Sequence, residues 1–365
     1  MPTIVVSGVN LTEGGTLKVF QDCLRAVRAV LPAWRVVVLA NNRDVIDVGD
    51  VEIIEMPAPK KSWMRRIYAE YVEFNSISKR LDADIWLSMH DMSPRIKAKS
   101  QFVYCHNANA FYRPSLSELA ISPKLLPFTL LYSIFYRINI RSNIAVIVQQ
   151  DWLRREFKRR YGVDSVIVAH PSEAVVEQPG GLPARINTFC YPSLSRPFKN
   201  FELICEAARL LADHPAWSGR VQLTLSPDDT RLTQNLYGRY GDVRGLEFIG
   251  RQDRAGMARL YDAMDCLLFP SRLETWGLPI SETKALGKPM IVADLPYAHE
   301  TVGNYDHVRF VDPASSRALA DIMLDVHRNG WSSTPVRVAP VAQPFANSWH
   351  DLIKTMVRMH EGKAA

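Results

Sequence analysis

Residues 270–290 read PSRLETWGLPISETKALGKPM, and the fold follows from how this stretch divides. Just before it, Asp265-Cys266-Leu267-Leu268-Phe269 is a short apolar run closed by Pro270-Ser271, the pattern of a buried strand. Glu274 follows on a loop, then Trp276-Gly277-Leu278-Pro279, then residues 280–286 as a helix that stops at Gly287. Pro279 suits a first turn, where a missing N–H costs nothing, and Gly287 suits the position just past the end. Residues 288–293 are the next strand. The order is strand, loop, helix, strand, with Glu274 on the loop and Glu282 in the helix's expected first turn.

That pattern places two acids and free backbone N–H groups at the carboxyl end of a parallel strand. Helix N-termini attract phosphate, and ligands of open α/β sheets sit outside those strand ends. Carboxylates repel phosphate but accept hydrogen bonds from sugar hydroxyls, so the mixture suits a ligand that carries both. A nucleotide-sugar is such a ligand. For Glu282 alone, an acid that merely complements the helix dipole is the competing explanation.

The stretch resembles the nucleotide-sugar-binding signature of glycosyltransferase family 4 (glycosyl transferases group 1), retaining enzymes of the GT-B fold. The match rests on Glu274, Gly277, Leu278, Pro279 and Glu282, with seven residues between the acids, and on Gly287-Lys288-Pro289. Thr275 departs from it, standing where the family has a first glycine; its Cβ narrows the loop's backbone freedom. The resemblance implies that Glu274 holds the donor sugar hydroxyls and Glu282 the ribose. It covers the second half of the chain well and the first half loosely.

At 365 residues the chain has room for two ordinary domains, and 47% hydrophobic with 22% charged residues are globular values. No apolar run reaches bilayer length, and the opening Met1-Pro2-Thr3-Ile4-Val5-Val6 reads as a first strand with no basic leader. Cysteines 23, 105, 190, 205 and 266 form no Cys-x-x-Cys pair and suit reduced, buried thiols of a cytoplasmic protein. The net charge of +6 comes without any basic–aromatic or zinc-spaced motif, so nucleic acid is not the expected partner. Polyanionic small ligands and an anionic membrane face account for it equally.

Along the first half, a strand at 3–7 leads into a loop with Gly14-Gly15 and a helix over 17–31. Gly-x-Gly-x-x-Gly is absent, and by itself the pair is better explained by a plain tight turn than by a phosphate approach. In the resembling family such a pair, here including Gly15, lets the loop approach the donor phosphates or the acceptor. Residues 59–81 form a helical segment that begins with Lys60, Lys61, Arg65 and Arg66 among Trp63, Met64, Ile67 and Tyr68, as an interfacial helix or a helix packed on the sheet would. Asp82-Ala83-Asp84 spells a metal-type Asp-x-Asp but precedes a strand, so no metal is expected there. His106 sits at the carboxyl end of strand 101–106, and the resemblance implies a place near the donor sugar. Residues 125–138 are apolar, too short to span a bilayer, and suit core packing, an acceptor wall or a lipid surface. Asp151 is expected to cap a basic helix over 152–161.

Residues 170–185, rich in Pro and Gly, are the expected linker. The domains expected are 1–172, on the acceptor side, and 184–344, which binds the donor. A helix over 345–365 is expected to return to the first. In the second half, Arg196 and Lys199 follow a strand, three positions apart rather than the family's five; the resemblance assigns them the donor diphosphate. Fixed cations near a leaving diphosphate make physical sense in any case. Arg251, after strand 246–249, lies where the family's loop faces the base, and Ala298-His299-Glu300 resembles an acid further along the pattern.

The expectation is therefore α/β, GT-B: two Rossmann-like domains facing across a cleft. The expected activity is retaining, metal-independent hexosyl transfer from a nucleotide-diphosphate-sugar to a glycan or lipid-linked acceptor in bacterial surface polysaccharide synthesis, such as that of lipopolysaccharide. It would use no cofactor and take place in the cytoplasm, peripherally at the inner membrane face. A sugar-nucleotide epimerase and a non-catalytic nucleotide-sugar-binding module are the alternatives.

Overall fold

The structure, a computed structural model, describes residues 1–171 and 182–362. Most of the expected linker, 170–185, therefore lies outside the described residues. The chain divides into two compact units, one of 1–111, 127–171 and 340–362, the other of 112–126 and 182–339.

The first unit is built on an eight-stranded parallel sheet. Its strands are β1 (Thr3–Ser7), β2 (Arg35–Ala40), β3 (Glu52–Glu55), β4 (Ile85–Ser88), β5 (Ser100–Cys105), β6 (Ala145–Val148) and β7 (Val166–Ala169), with Phe345–Ala346 paired to the edge of β7. Across the sheet the order is Phe345–Ala346, β7, β6, β5, β4, β1, β2, β3. Near-continuous Val and Ile runs suit strands buried on both faces. Ile4 and Val6 of β1 join Val36 and Val38 of β2 on one face, under the helices Gly14–Val30 and Trp349–His360. Val5, Val37, Leu39 and Trp86 point the other way, onto Phe74 and Ile77. The period-two alternation thus feeds two separate cores.

The second unit has a six-stranded parallel sheet of β8 (Thr188–Tyr191), β9 (Arg220–Leu223), β10 (Leu246–Phe248), β11 (Cys266–Phe269), β12 (Met290–Ala293) and β13 (Val308–Val311), in the order β10, β9, β8, β11, β12, β13. The connection direction reverses between β8 and β11. In the first unit it reverses between β1 and β4.

Several sequence expectations need correction. The helix expected from residue 17 begins at Gly14, so Gly14 and Gly15 are its exposed first turn rather than a loop; Gly14 supplies the left-handed φ of +65° that starts it. Residues 59–81 are not one helix but Ala58–Lys61, Trp63–Tyr68, a π-helical turn Ala69–Glu73 and Phe74–Leu81, and Ser62 breaks and caps the second piece. Asp151 is the first helical residue, and Gln150 takes the cap position. The expected first domain, 1–172, is interrupted: 112–126 groups with the second unit. Tyr112 meets Phe198 edge-on at 5.9 Å, and Glu118 pairs with Arg272 at 3.3 Å. The terminal segment opens with the strand Phe345–Ala346 before its helix, which Ser348 caps by accepting from the Asp351 N–H at 3.2 Å. No helix among the described residues is long and apolar enough to cross a membrane.

Candidate functional site

Where the connection direction reverses, two neighbouring strand ends diverge and leave a crevice, the usual ligand position in an open parallel sheet. At β8 and β11 the flanking loops are stitched together. The Tyr191 hydroxyl donates to the Lys199 carbonyl at 2.9 Å, and the Arg272 N–H to the Phe198 carbonyl at 2.7 Å. Asn200, at a left-handed φ of 61° that Asn tolerates, donates through Nδ2 to the carbonyls of Pro270 (3.1 Å) and Pro313 (2.9 Å). This frame brings Lys199 Nζ to 2.5 Å from Glu274 Oε1, across 75 residues of sequence, with both side chains mostly buried. The ammonium also lies 5.6 Å from the centre of the Phe269 ring.

Gly277 turns the chain into the next helix at φ +90°, and a Cβ there would press on Phe269 at 3.2 Å and Ile280 at 3.3 Å. Glycine is required by both the conformation and the space. Thr275, by contrast, is not among the residues at positive φ, so it stands in place of a glycine without backbone strain. Trp276 is buried and fixed by its Nε1–H donating to Ser281 Oγ at 2.9 Å. The helix is Leu278–Ala285, two residues earlier than expected, with Leu278 half exposed at its start. Glu282 therefore sits in the second turn, not the first, where the helix dipole no longer accounts for it. It accepts a hydrogen bond from the Tyr261 hydroxyl, and burial together with that carboxylate holds the hydroxyl well above its usual range.

Arg196 stays apart from the Lys199–Glu274 pair. It lines a cavity of about 150 Å³ with Leu194, Ser195, Asp229, Thr230 and Arg251. Two arginines expected at opposite ends of a donor, diphosphate and base, thus share one small recess. His299 is engaged locally, with Nε2 at 2.6 Å from Asp294 Oδ1 and its ring stacked on Phe310.

His106 belongs to the first unit and follows β5. Its loop is held by Asp91, whose buried Oδ1 accepts from the His106 N–H (2.8 Å), the Asn107 N–H (3.0 Å) and the Tyr136 hydroxyl (2.8 Å). The other carboxylate oxygen lies 3.6 Å from His106 Nε2. Asp91 adopts φ 71°, a strained conformation for a non-glycine residue, and next to it His90 is buried between Ser7 Oγ (3.1 Å from Nε2) and Glu70 Oε1 (2.9 Å from Nδ1). Glu70 lies on the π-helical turn, and Arg66 donates to the His90 carbonyl at 2.5 Å. Sequence reasoning missed Asp91, His90 and Glu70. The signal was present for two of them, because His90-Asp91 directly follows β4 at the first unit's reversal point, the placement that singled out His106.

Gly15 is an exposed member of the first turn of the helix that follows β1. Asp84 of the Asp-x-Asp accepts from the Thr3 N–H (2.7 Å) and Lys99 Nζ (2.6 Å) at the amino end of β4, and Asp82 ends a helix at φ 46°. Among the described residues no group of three or more His, Cys, Asp or Glu side chains has the geometry of a metal site.

Comparison with protein families matches residues 177–339 to the family described as glycosyl transferases group 1. That segment is similar to glycosyl transferases group 1 domains. A D-inositol 3-phosphate glycosyltransferase from Corynebacterium glutamicum (strain R) is 26% identical over 148 residues, 39% of this chain and 35% of the relative. The chain thus spans about a third of the length of the curated relatives it matches. Among solved structures, sucrose-phosphate synthase from Thermosynechococcus elongatus superposes with a TM-score of 0.63 at 15% identity, covering 90% of both chains. Anabaena HepE in complex with UDP and glucose gives 0.59 at 14%, again over 90% of each. At such identity the likeness is one of fold, and the fold is GT-B, two Rossmann-like α/β units on parallel sheets.

Proposed function

We propose that this chain transfers a sugar, with retention, from a nucleoside-diphosphate-sugar to a glycan or lipid-linked acceptor, and that the β8/β11 crevice holds the donor. The observation that carries the reading is the Lys199–Glu274 pair at that reversal point, 2.5 Å apart and mostly buried. An ammonium has three donors. One is spent on Glu274, leaving two for the oxygens of a diphosphate. Glu274 in turn keeps its second carboxylate oxygen to accept from sugar hydroxyls. The pair thus presents a cation for the leaving group beside an acceptor for the sugar, and each charge compensates the other. The group 1 match over 177–339 and the UDP and glucose held by a protein of the same fold support a nucleotide-sugar as the ligand.

In the proposed reaction the bond from the anomeric carbon to the diphosphate oxygen breaks as the carbon becomes oxocarbenium-like, and the acceptor hydroxyl adds on the same face. Its proton passes to the departing phosphate oxygen, so no side-chain base is required. Lys199, with Arg196 and Arg251 in the recess they share, would meet the charge on the leaving diphosphate and nucleotide. Glu282, on the next turn of the helix, would take the ribose. Gly277 and Leu278 shape the loop that approaches the donor. His106 is proposed separately as a contact to the sugar, with Asp91 holding its backbone in place.

A thermal-shift panel of UDP-, GDP- and dTDP-sugars tests the reading, because a ligand selective for the folded state raises the melting temperature. The expected result is stabilisation by one donor and its nucleoside diphosphate, followed by transfer with the anomeric configuration kept. Binding without turnover across an acceptor panel would make the protein a binding module, and donor conversion without acceptor would make it an epimerase. Absence of stabilisation by any nucleotide-sugar would overturn the reading.

A further inference from the structure

The helix Leu125–Arg137 has two unlike sides. Thr129, Tyr132, Phe135 and Tyr136 are buried, while Leu130, Leu131 and Ile134, with Ile138 just past the end, are exposed. Leu130, Ile134 and Ile138 recur every four residues and so share one face, where a surface helix normally carries polar side chains. The helix Trp63–Tyr68 lies alongside, its Trp63 ring stacked on Phe135 with centroids 5.3 Å apart. It adds Met64, 76% exposed, and Tyr68, with Lys61 and Arg65 also exposed. The C-terminal end of the stripe meets a cavity of about 700 Å³ whose lining includes Arg137, Asn139, Arg141, Ser142, Arg160 and Tyr161, and no carboxylate. Arg160 is spent on Glu156 and on the carbonyls of Ala110 and Phe111. Among the described residues neither Arg137 nor Arg141 has an ion-pair partner.

An apolar stripe that ends at two uncommitted guanidinium groups is complementary to an anion with an apolar tail. We infer that this face docks on an anionic bilayer, with Leu130, Ile134, Ile138 and Met64 entering the interface and a lipid headgroup phosphate seated between Arg137 and Arg141. Guanidinium forks match phosphate oxygens, and apolar side chains ringed by cations are what interfacial helices present to acidic lipid. The basic helix Asp151–Tyr161 does not take part. Arg155 pairs with Asp151 (3.1 Å), Lys158 with Asp164 (2.9 Å) and Arg159 with Glu156 (2.6 Å), while Arg154 donates to the Ala342 and Pro344 carbonyls.

Flotation with vesicles of phosphatidylglycerol and phosphatidylcholine, against phosphatidylcholine alone, tests the inference without needing any turnover. The whole chain should float with the anionic vesicles at low salt and be released as salt rises. Loss of roughly fivefold in partitioning per basic residue predicts about a 30-fold drop for Arg137→Gln with Arg141→Gln. Leu130→Asn with Ile134→Asn should cost at least about tenfold, since each buried methylene contributes. Arg155→Gln with Arg159→Gln should change little. All these side chains are exposed, so melting by circular dichroism should match the unaltered protein. Arg137→Lys with Arg141→Lys keeps the charge but not the fork, and should bind at an intermediate level. Equal flotation with neutral vesicles would overturn the inference, as would full binding by either double variant at Arg137 and Arg141.

Discussion

Glu274→Gln keeps the shape of the side chain and removes its charge, which isolates what the carboxylate does for Lys199 and for the sugar. Lys199 Nζ sits 2.5 Å from Glu274 Oε1, and the two side chains retain only 17% and 13% of their exposure, so the pair is intermediate between a surface bridge and a buried one. Breaking it by removing one partner should cost about 1–3 kcal/mol of unfolding free energy, with Lys199→Met costing a similar amount. The double variant should cost less than the sum, because neither charge is then stranded. On the reaction side, a lost hydrogen bond from a hydroxyl of the forming oxocarbenium-like sugar to the charged carboxylate costs about 1.5–3 kcal/mol, or about ten- to a hundredfold in kcat. Lys199, released from its partner, should leave nucleoside diphosphate affinity equal or higher. Glu282→Gln should do the opposite, weakening nucleotide binding in ground and transition states alike with kcat largely kept. Calorimetry with the nucleoside diphosphate beside steady-state turnover reads both. Full turnover in Glu274→Gln, or a loss of nucleotide binding as severe as that of Glu282→Gln, would refute the division of roles.

Other outcomes follow from features already described. Asp91→Ala should strand two backbone N–H groups, while the Tyr136 hydroxyl keeps the Asn107 carbonyl at 2.8 Å, and lose about 3 kcal/mol, whereas Asp91→Asn, which tolerates φ 71° and still offers an oxygen, should lose much less; denaturant titration measures both. All five cysteines are buried, and burial pushes the Cys190 and Cys205 thiols up to about 12, so Ellman's reagent should label none in the native protein at pH 8 and all five after unfolding. Because charge on the leaving group is assigned to Lys199 and the two arginines, activity should survive EDTA; complete loss restored by Mn²⁺ or Mg²⁺ would refute that assignment.

What the sequence could show was set by how local the cause is. The run from Asp265 to Met290 declares strand, turn and helix through its own apolar pattern and its Gly and Pro, so the donor unit's centre was legible there. The start of the helix was less so, because Leu278 and Pro279 are helical only once Gly277 has turned the chain beside Phe269. Lys199 and Glu274 were each singled out, yet nothing in either neighbourhood reports a contact made across 75 residues through the Asn200 frame. The π-helical turn at Ala69–Glu73 was invisible, since one extra residue per turn barely disturbs a helical pattern. Residues 112–126 join the second unit through Phe198 and Arg272, partners that lie far along the chain.

The return of Phe345–Ala346 and Trp349–His360 to the first sheet has a consequence for the order in which a nascent chain can fold. β1 through β7 emerge from the ribosome early, but the core that holds Ile4, Val6 and Leu24 is still open, because Leu352, Ile353 and Met356 cover part of it. The second sheet, contiguous in sequence from Thr188 to Val311, can form while that core waits. The first-made half is therefore the last to be completed, and during synthesis its uncovered face is the one a chaperone would meet.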